Sequence, residues 1–246
     1  MNEFQWLDLL VVMILSGAAF FRSFLGFGDA VLAMPLLTLI VGLKTASPTI
    51  ALVATTIAIT ILLKNWRLAD LKATFHLIIS SCFGIPLGIL FLKQGEEPLM
   101  KSILGVILIL YGLYRVLSPT DKKIGNSSHL SCLFGFIAGI MGGAFNTNGP
   151  PVVIYGNLRG WPPRLFRATL QGYFLPTGFF IALGHGVSGL WTPPVLRYYL
   201  IALPLVFLAI FLGGRLNSNL PQHRFDRLIN LILIFMGCLL LWETFR

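Results

Sequence analysis

Apolar runs recur along this chain with short polar joints between them. Five fall in the first half, near 6–26, 30–43, 46–63, 73–92 and 99–117. The stretch from Ser118 to Ser128, SPTDKKIGNSS, is the most polar of all and marks a midpoint. Five more follow, near 130–145, 150–158, 166–185, 195–213 and 226–243. A bilayer-crossing helix needs about 20 apolar residues, so this pattern predicts an all-α polytopic membrane protein rather than a barrel. Two runs are too short to cross alone, at about 14 and about 9 residues. Each is the second of five in its half.

That shared rank suggests two related halves, 1–117 and 129–246, joined by the polar connector 118–128 within one integral membrane domain. Laying Gly26-Phe27-Gly28-Asp29 over Asn146-Thr147-Asn148-Gly149 offsets the halves by 120 residues. Cytoplasmic loops carry the excess of Lys and Arg. The groups Lys64/Arg67/Lys72, Arg115/Lys122/Lys123, Arg159/Arg164/Arg167 and Arg215/Arg224/Arg227 therefore mark four inner joints. The joints at 93–101 and 186–194, with the acidic N-terminus MNEFQWLDLL, fall outside. That N-terminus also lacks the positive region of a signal peptide, so the first run is expected to be kept as a span. An odd number of crossings per half gives two inverted repeats of about 4–5 helical segments each, with a broken or short second segment. Re-entrant short segments would instead lower the count toward eight spans.

Breaking a helix in hydrocarbon strands backbone N–H and C=O groups at several kcal/mol each, unless protein or a wet cavity receives them. In the second half, AFNTNGPPVVIYG offers Asn148 as an N-cap, Gly149 for close backbone approach, and Pro150 and Pro151 for a first helical turn. In the first half, FLGFGDAVLAMPLL offers Gly26 and Gly28 for the turn and Asp29 as a cap. Paired helix starts aimed at one spot would present converging N–H groups to an anion. Taken singly, each glycine or proline is equally consistent with ordinary close packing of membrane helices.

Arg22 lies deep in the first run, where an arginine costs on the order of 2.5–3.5 kcal/mol on insertion scales. Three readings stay open. It pairs structurally with Asp29; it binds an anionic substrate while Asp29 titrates as the ion-coupling group; or it snorkels to the nearby interface. Gln171, Tyr173 and Thr177, with Thr55 and Thr56, are candidate cavity liners, although Gln171 serves a helix–helix hydrogen bond equally well. His76 and His185 read as packing or interfacial residues. Trp161, Trp191 and Trp242 sit where interfacial anchors sit. Arg164 and Arg167 read as topology determinants that also draw anions toward a cytoplasmic vestibule.

Composition narrows the classes. The chain has 246 residues, of which 56% are hydrophobic and 11% charged, more apolar surface than a soluble domain of this length hides. Its net charge of +9 is dispersed among short loops, which argues against nucleic acid. Cys82, Cys132 and Cys238 have no metal spacing and are expected as small core residues. No metal site, cofactor motif, HExxH, GxSxG or phosphate-binding glycine loop occurs, so an enzyme is the weakest class.

The segments GFGDAVLAMPLL and GIMGGAFNTNGPPVVIYGNLRGWPPRLFRATLQGYF resemble the paired signatures of the TauE/SafE sulfite-exporter family. The resemblance implies a carrier of about eight spans in the bacterial cytoplasmic (inner) membrane, moving sulfite, sulfoacetate or related anions, usually outward. Gly26, Gly28, Gly149, Pro150 and Pro151 carry over as the broken-segment positions. Where family members often have denser glycine, this chain has Asp29 and Asn146-Thr147-Asn148. The resulting expectation is a secondary transporter working by alternating access. Its substrate-binding residues are Gly26, Gly28, Asn146, Asn148, Gly149, Pro150, Gln171 and Arg22. An anion channel and uptake instead of export remain the alternatives. The expected partners are a small anion, the lipid bilayer and, as an open alternative, a second copy in a homodimer.

Overall fold

The computed structural model describes residues 3–26, 28–65, 71–117, 128–216 and 222–245. Among them are ten helices and no strand: α1 (Glu3–Leu25), α2 (Asp29–Val41), α3 (Leu43–Asn65), α4 (Leu71–Gln94) and α5 (Glu97–Leu117), then α6 (Ser128–Phe145), α7 (Gly149–Leu158), α8 (Pro163–Val187), α9 (Pro193–Leu216) and α10 (Gln222–Thr244). Each corresponds to one apolar run. Six are long and apolar enough to cross a membrane. With 13 and 10 residues, α2 and α7 reach about 20 and 15 Å at 1.5 Å per residue, short of a hydrocarbon core of about 30 Å.

Polar contacts gather one set of helix ends at a single face. The Leu43 N–H donates to Glu97 Oε1 at 3.3 Å, Lys44 Nζ to the Lys93 carbonyl at 3.2 Å, and Lys93 Nζ to the Ser188 carbonyl at 3.0 Å. Lys101 Nζ meets Glu243 Oε1 at 3.0 Å, and Arg197 is paired with Asp8. The starts of α1, α3, α5 and α9 therefore lie beside the ends of α2, α4, α8 and α10. This is the face that the loop-charge expectation assigns to the outside. The α1–α2 hairpin hangs from it into the bundle.

The α6–α7 hairpin enters from the opposite face, because α6 runs parallel to α4. Along that seam Gly135 packs on Leu77, Gly139 on Ser81 and Gly143 on Ile85, while Gly84 and Gly88 lie against Phe136 and Ile140. A Cβ at Gly139 would collide with the Ser81 carbonyl, and one at Gly143 with the Ile85 carbonyl. Small residues at i, i+4 and i+8 let two membrane helices approach backbone to backbone. The other hairpin is clasped similarly: α1 lies on α9, where a Cβ at Gly213 would come 2.6 Å from the Phe20 carbonyl. The antiparallel pair α5 and α10 closes the bundle through Gly105 and Gly237.

The exterior is apolar, with Phe83, Leu110, Val187, Phe207 and Phe235 turned outward, as a lipid-facing surface requires. Cys132 and Cys238 are exposed there too, and only Cys82 is partly buried. The expectation of three core cysteines is thus corrected. A thiol is apolar enough to face lipid as readily as protein.

Candidate functional site

The two breaks have equal length and similar entry. α1 ends at Leu25 and α2 begins at Asp29; α6 ends at Phe145 and α7 begins at Gly149. Both first helices stop with a residue in left-handed backbone, Gly26 at φ 92° and Asn146 at φ 52°. Asn146 is the one described non-glycine residue with positive φ, and asparagine tolerates that region best among side-chain-bearing residues. The Gly26 N–H closes on the Arg22 carbonyl at 2.7 Å, and the Asn146 N–H on the Gly142 carbonyl at 2.8 Å.

The exits differ. Gly28, at φ 100°, occupies the N-cap position of α2, and Asp29 is the first residue of that helix. Asn148 occupies the N-cap position of α7 but makes no side-chain capping bond. Its amide donates to Thr177 Oγ1 at 3.3 Å instead. The sequence expectation that Asp29 and Asn148 cap by side chain is therefore corrected: Asp29 pairs with Arg22 of its own hairpin, and Asn148 reaches Thr177 of α8. What remains at both helix starts is backbone N–H that the helix itself cannot satisfy. At α7, Pro150 and Pro151 have none to offer, which leaves Asn148 and Gly149.

Both breaks face one cavity. Arg22, Gly28, Asp29 and Ala30 line it from the first hairpin, and Asn146, Asn148, Gly149 and Pro150 from the second. Tyr111 and Arg115 of α5, Phe174 and Gly178 of α8, and Asn230 of α10 complete the wall. Its volume is about 50 Å³ measured to the centres of water-sized spheres. One water needs about 10–15 Å³ on that measure, so a small oxyanion fits.

Arg22 dominates the electrostatics. It is 3% exposed, so the snorkelling reading is excluded. Its Nη1 pairs with Asp29 Oδ2 at 2.8 Å, and the guanidinium carbon lies 5.2 Å from the centre of the Phe174 ring. Arg22 Nε and Nη2 are buried without a hydrogen-bond partner. A guanidinium offers five N–H donors in a planar fork suited to oxyanions. Two nitrogens are left over here beside the cavity.

The five expected liners stand elsewhere. Gln171 Nε2 donates to the Gly26 carbonyl at 2.6 Å, and neither residue borders the cavity. A membrane-buried amide takes the nearest orphaned carbonyl. Tyr173 is likewise core: it is fully buried, and its hydroxyl meets Ser81 Oγ at 2.7 Å while Ser81 donates to the Gly135 carbonyl. Thr177 donates to the Tyr173 carbonyl at 2.7 Å, and Thr55 to the Ala51 and Gly178 carbonyls. Thr56 pairs with Tyr199. His76 is exposed and His185 fully buried. The side chains of Arg164 and Arg167 lie outside the described residues.

Sequence reasoning missed Arg115, Tyr111, Phe174 and Asn230. The positive-inside rule puts Arg115 in a cytoplasmic loop, yet it lies inside the run 99–117, and Asn230 is an amide inside an apolar run. Both positions carry the same signal that singles out Arg22.

The sequence has known relatives. The family model described as sulfite exporter TauE/SafE matches residues 9–240. The chain belongs to this family. It is also 24% identical over 242 residues to the probable sulfite/organosulfonate exporter TauE of Cupriavidus necator, covering 96% of this chain and 94% of that one. No solved structure matches it. As a TauE/SafE member it is an integral membrane protein of a transporter family. Asp29, Asn146 and Asn148 line its cavity.

Proposed function

We propose that this protein is a secondary transporter that exports small sulfur-containing oxyanions, sulfite or organosulfonates, across the bacterial cytoplasmic membrane. The observation that carries the reading is one cavity shared by both helix breaks and the under-bonded Arg22 guanidinium. An oxyanion there would exchange water for Arg22 Nε and Nη2, the N–H groups opening α2 and α7, and the Asn146 and Asn148 amides. The name of the Cupriavidus necator relative supports the substrate class and the outward direction.

The mechanism we infer is alternating access by two inverted repeats. Exchanging each helix for the one five places later turns the α1–α9 contact into the α6–α4 contact and leaves the α3–α8 and α5–α10 contacts in place. The 120-residue register aligns the ends of α1 and α6 and the starts of α2 with α7 and α3 with α8. The hairpins reach the cavity from opposite faces, so rocking one repeat against the other would open it to one side at a time.

The test is flux in proteoliposomes, comparing sulfite, sulfoacetate, taurine and sulfate. Arg22→Lys keeps a charge for Asp29 but removes the spare fork donors. It is expected to cut sulfite flux at least tenfold, about 1.4 kcal/mol. Undiminished flux in Arg22→Lys and in Asn148→Ala removes the cavity as the transport site. Flux that fails to saturate identifies a channel.

A further inference from the structure

Two side chains of α8 that stay out of the cavity each hold a carbonyl that a break has orphaned. At the first break Gln171 Nε2 donates to the Gly26 carbonyl at 2.6 Å. At the second, His185 Nε2–H donates to the Gly143 carbonyl at 2.8 Å. Gly143 lies in the last turn of α6, where its carbonyl would normally lack a helical donor. The Asn146 and Thr147 N–H groups, the nearest available, have gone to the Gly142 and Met141 carbonyls. His185 is fully buried, and its Nδ1 has no partner, so the bond to Gly143 is the ring's single polar engagement among the described residues. Packing alone does not explain an imidazole there, because a phenyl ring would fill the space without burying an unpartnered nitrogen.

The two contacts sit fourteen residues apart on one helix, about 21 Å of rise. Between them, Thr177 receives the Asn148 amide, and Phe174 lies under Arg22 and beside Gly149. Both breaks are therefore referenced to α8, although one belongs to each half of the chain.

We propose that Gln171 and His185 are positioning residues of the anion site. By holding one carbonyl from each break, α8 sets the separation of the donors at Gly28–Ala30 from those at Asn148–Gly149. The inference rests on the cavity being the transport site. A bond lost at either end lets that break relax, and donors displaced by a fraction of an ångström bind an oxyanion less well while the translocation step is unaffected.

Sulfite transport in proteoliposomes tests this with His185→Phe and Gln171→Met, which keep volume and remove the donor, and His185→Gln, which keeps an N–H within reach. Expected is a rise in sulfite KM of about tenfold for each donor-less variant, maximal flux per inserted protein within twofold of the unmodified chain, and a KM restored by His185→Gln. A purely structural role would lower the melting temperature in detergent and leave KM alone. KM within twofold in the donor-less variants, in a series where Arg22→Lys has lost transport, overturns the proposal. Should His185→Phe fail to insert, Gln171→Met decides by the same criterion. Normal transport by both Arg22→Lys and Asn148→Ala instead strikes the cavity reading and this inference with it.

Discussion

The two helix breaks solve one problem with different chemistry. Both stop a membrane helix with a left-handed residue, Gly26 in one and Asn146 in the other, and both restart after three residues. The first then turns through a second left-handed glycine, Gly28, and carries a full ion pair, Arg22 with Asp29. The second contains no charge; its exit residue Asn148 has ordinary right-handed backbone and a neutral bond to Thr177. Length and entry geometry are thus common to the breaks, while exit backbone and electrostatics are not. The cavity they share is asymmetric, with its charge on the side of the first hairpin.

Removing one charge is the severest way to break that comparison. Arg22→Leu leaves Asp29 buried and unpaired, which costs about 3–5 kcal/mol in comparable buried pairs. Unfolding in detergent should show a loss of that size. Arg22→Leu combined with Asp29→Leu should recover most of the stability but no transport. A single variant as stable as the parent would mean that water reaches Asp29 freely.

Backbone strain comes next. A methyl group added at Gly28 would meet nothing within 4 Å, so Gly28→Ala isolates the conformational cost. That cost is about 1–2 kcal/mol for an alanine held in left-handed backbone. Chemical denaturation of the purified protein measures it, and an unchanged midpoint would show that α2 starts differently in the membrane.

The smallest effect belongs to Asn146→Gly. Glycine accepts the same φ, so stability should change by only a few tenths of a kcal/mol. Sulfite KM should nonetheless rise, because the amide that lines the cavity is gone. If KM stays put, Asn146 serves only the turn, and the breaks are more alike than their sequences.

The fold was legible because apolar run length and polar joints map directly onto helices in lipid; each of the ten runs became one helix. The breaks were legible because glycine, asparagine and proline clusters have few other uses inside a membrane. Partners were not. Gln171 is separated by 145 positions from the carbonyl it binds, and no local pattern distinguishes that bond from lining a cavity. Arg115 failed for a different reason: an arginine near a helix end satisfies the positive-inside rule whether its side chain meets water or turns inward. His185 looked interfacial for the same reason, being close to the end of α8 while the backbone of α6 covers it.

The seven-residue spacing of Arg22 and Asp29 has a consequence for biogenesis. When the ribosome has delivered only the first hairpin, α8, α9 and α10 do not yet exist, and neither does the protein wall that later surrounds the guanidinium. Each charge alone would resist partitioning from the translocon into lipid. Folded back on each other across a three-residue turn, the two can neutralise locally before anything else is made. The contact that later limits how freely Arg22 greets a cargo is also the one that lets its helix enter the bilayer.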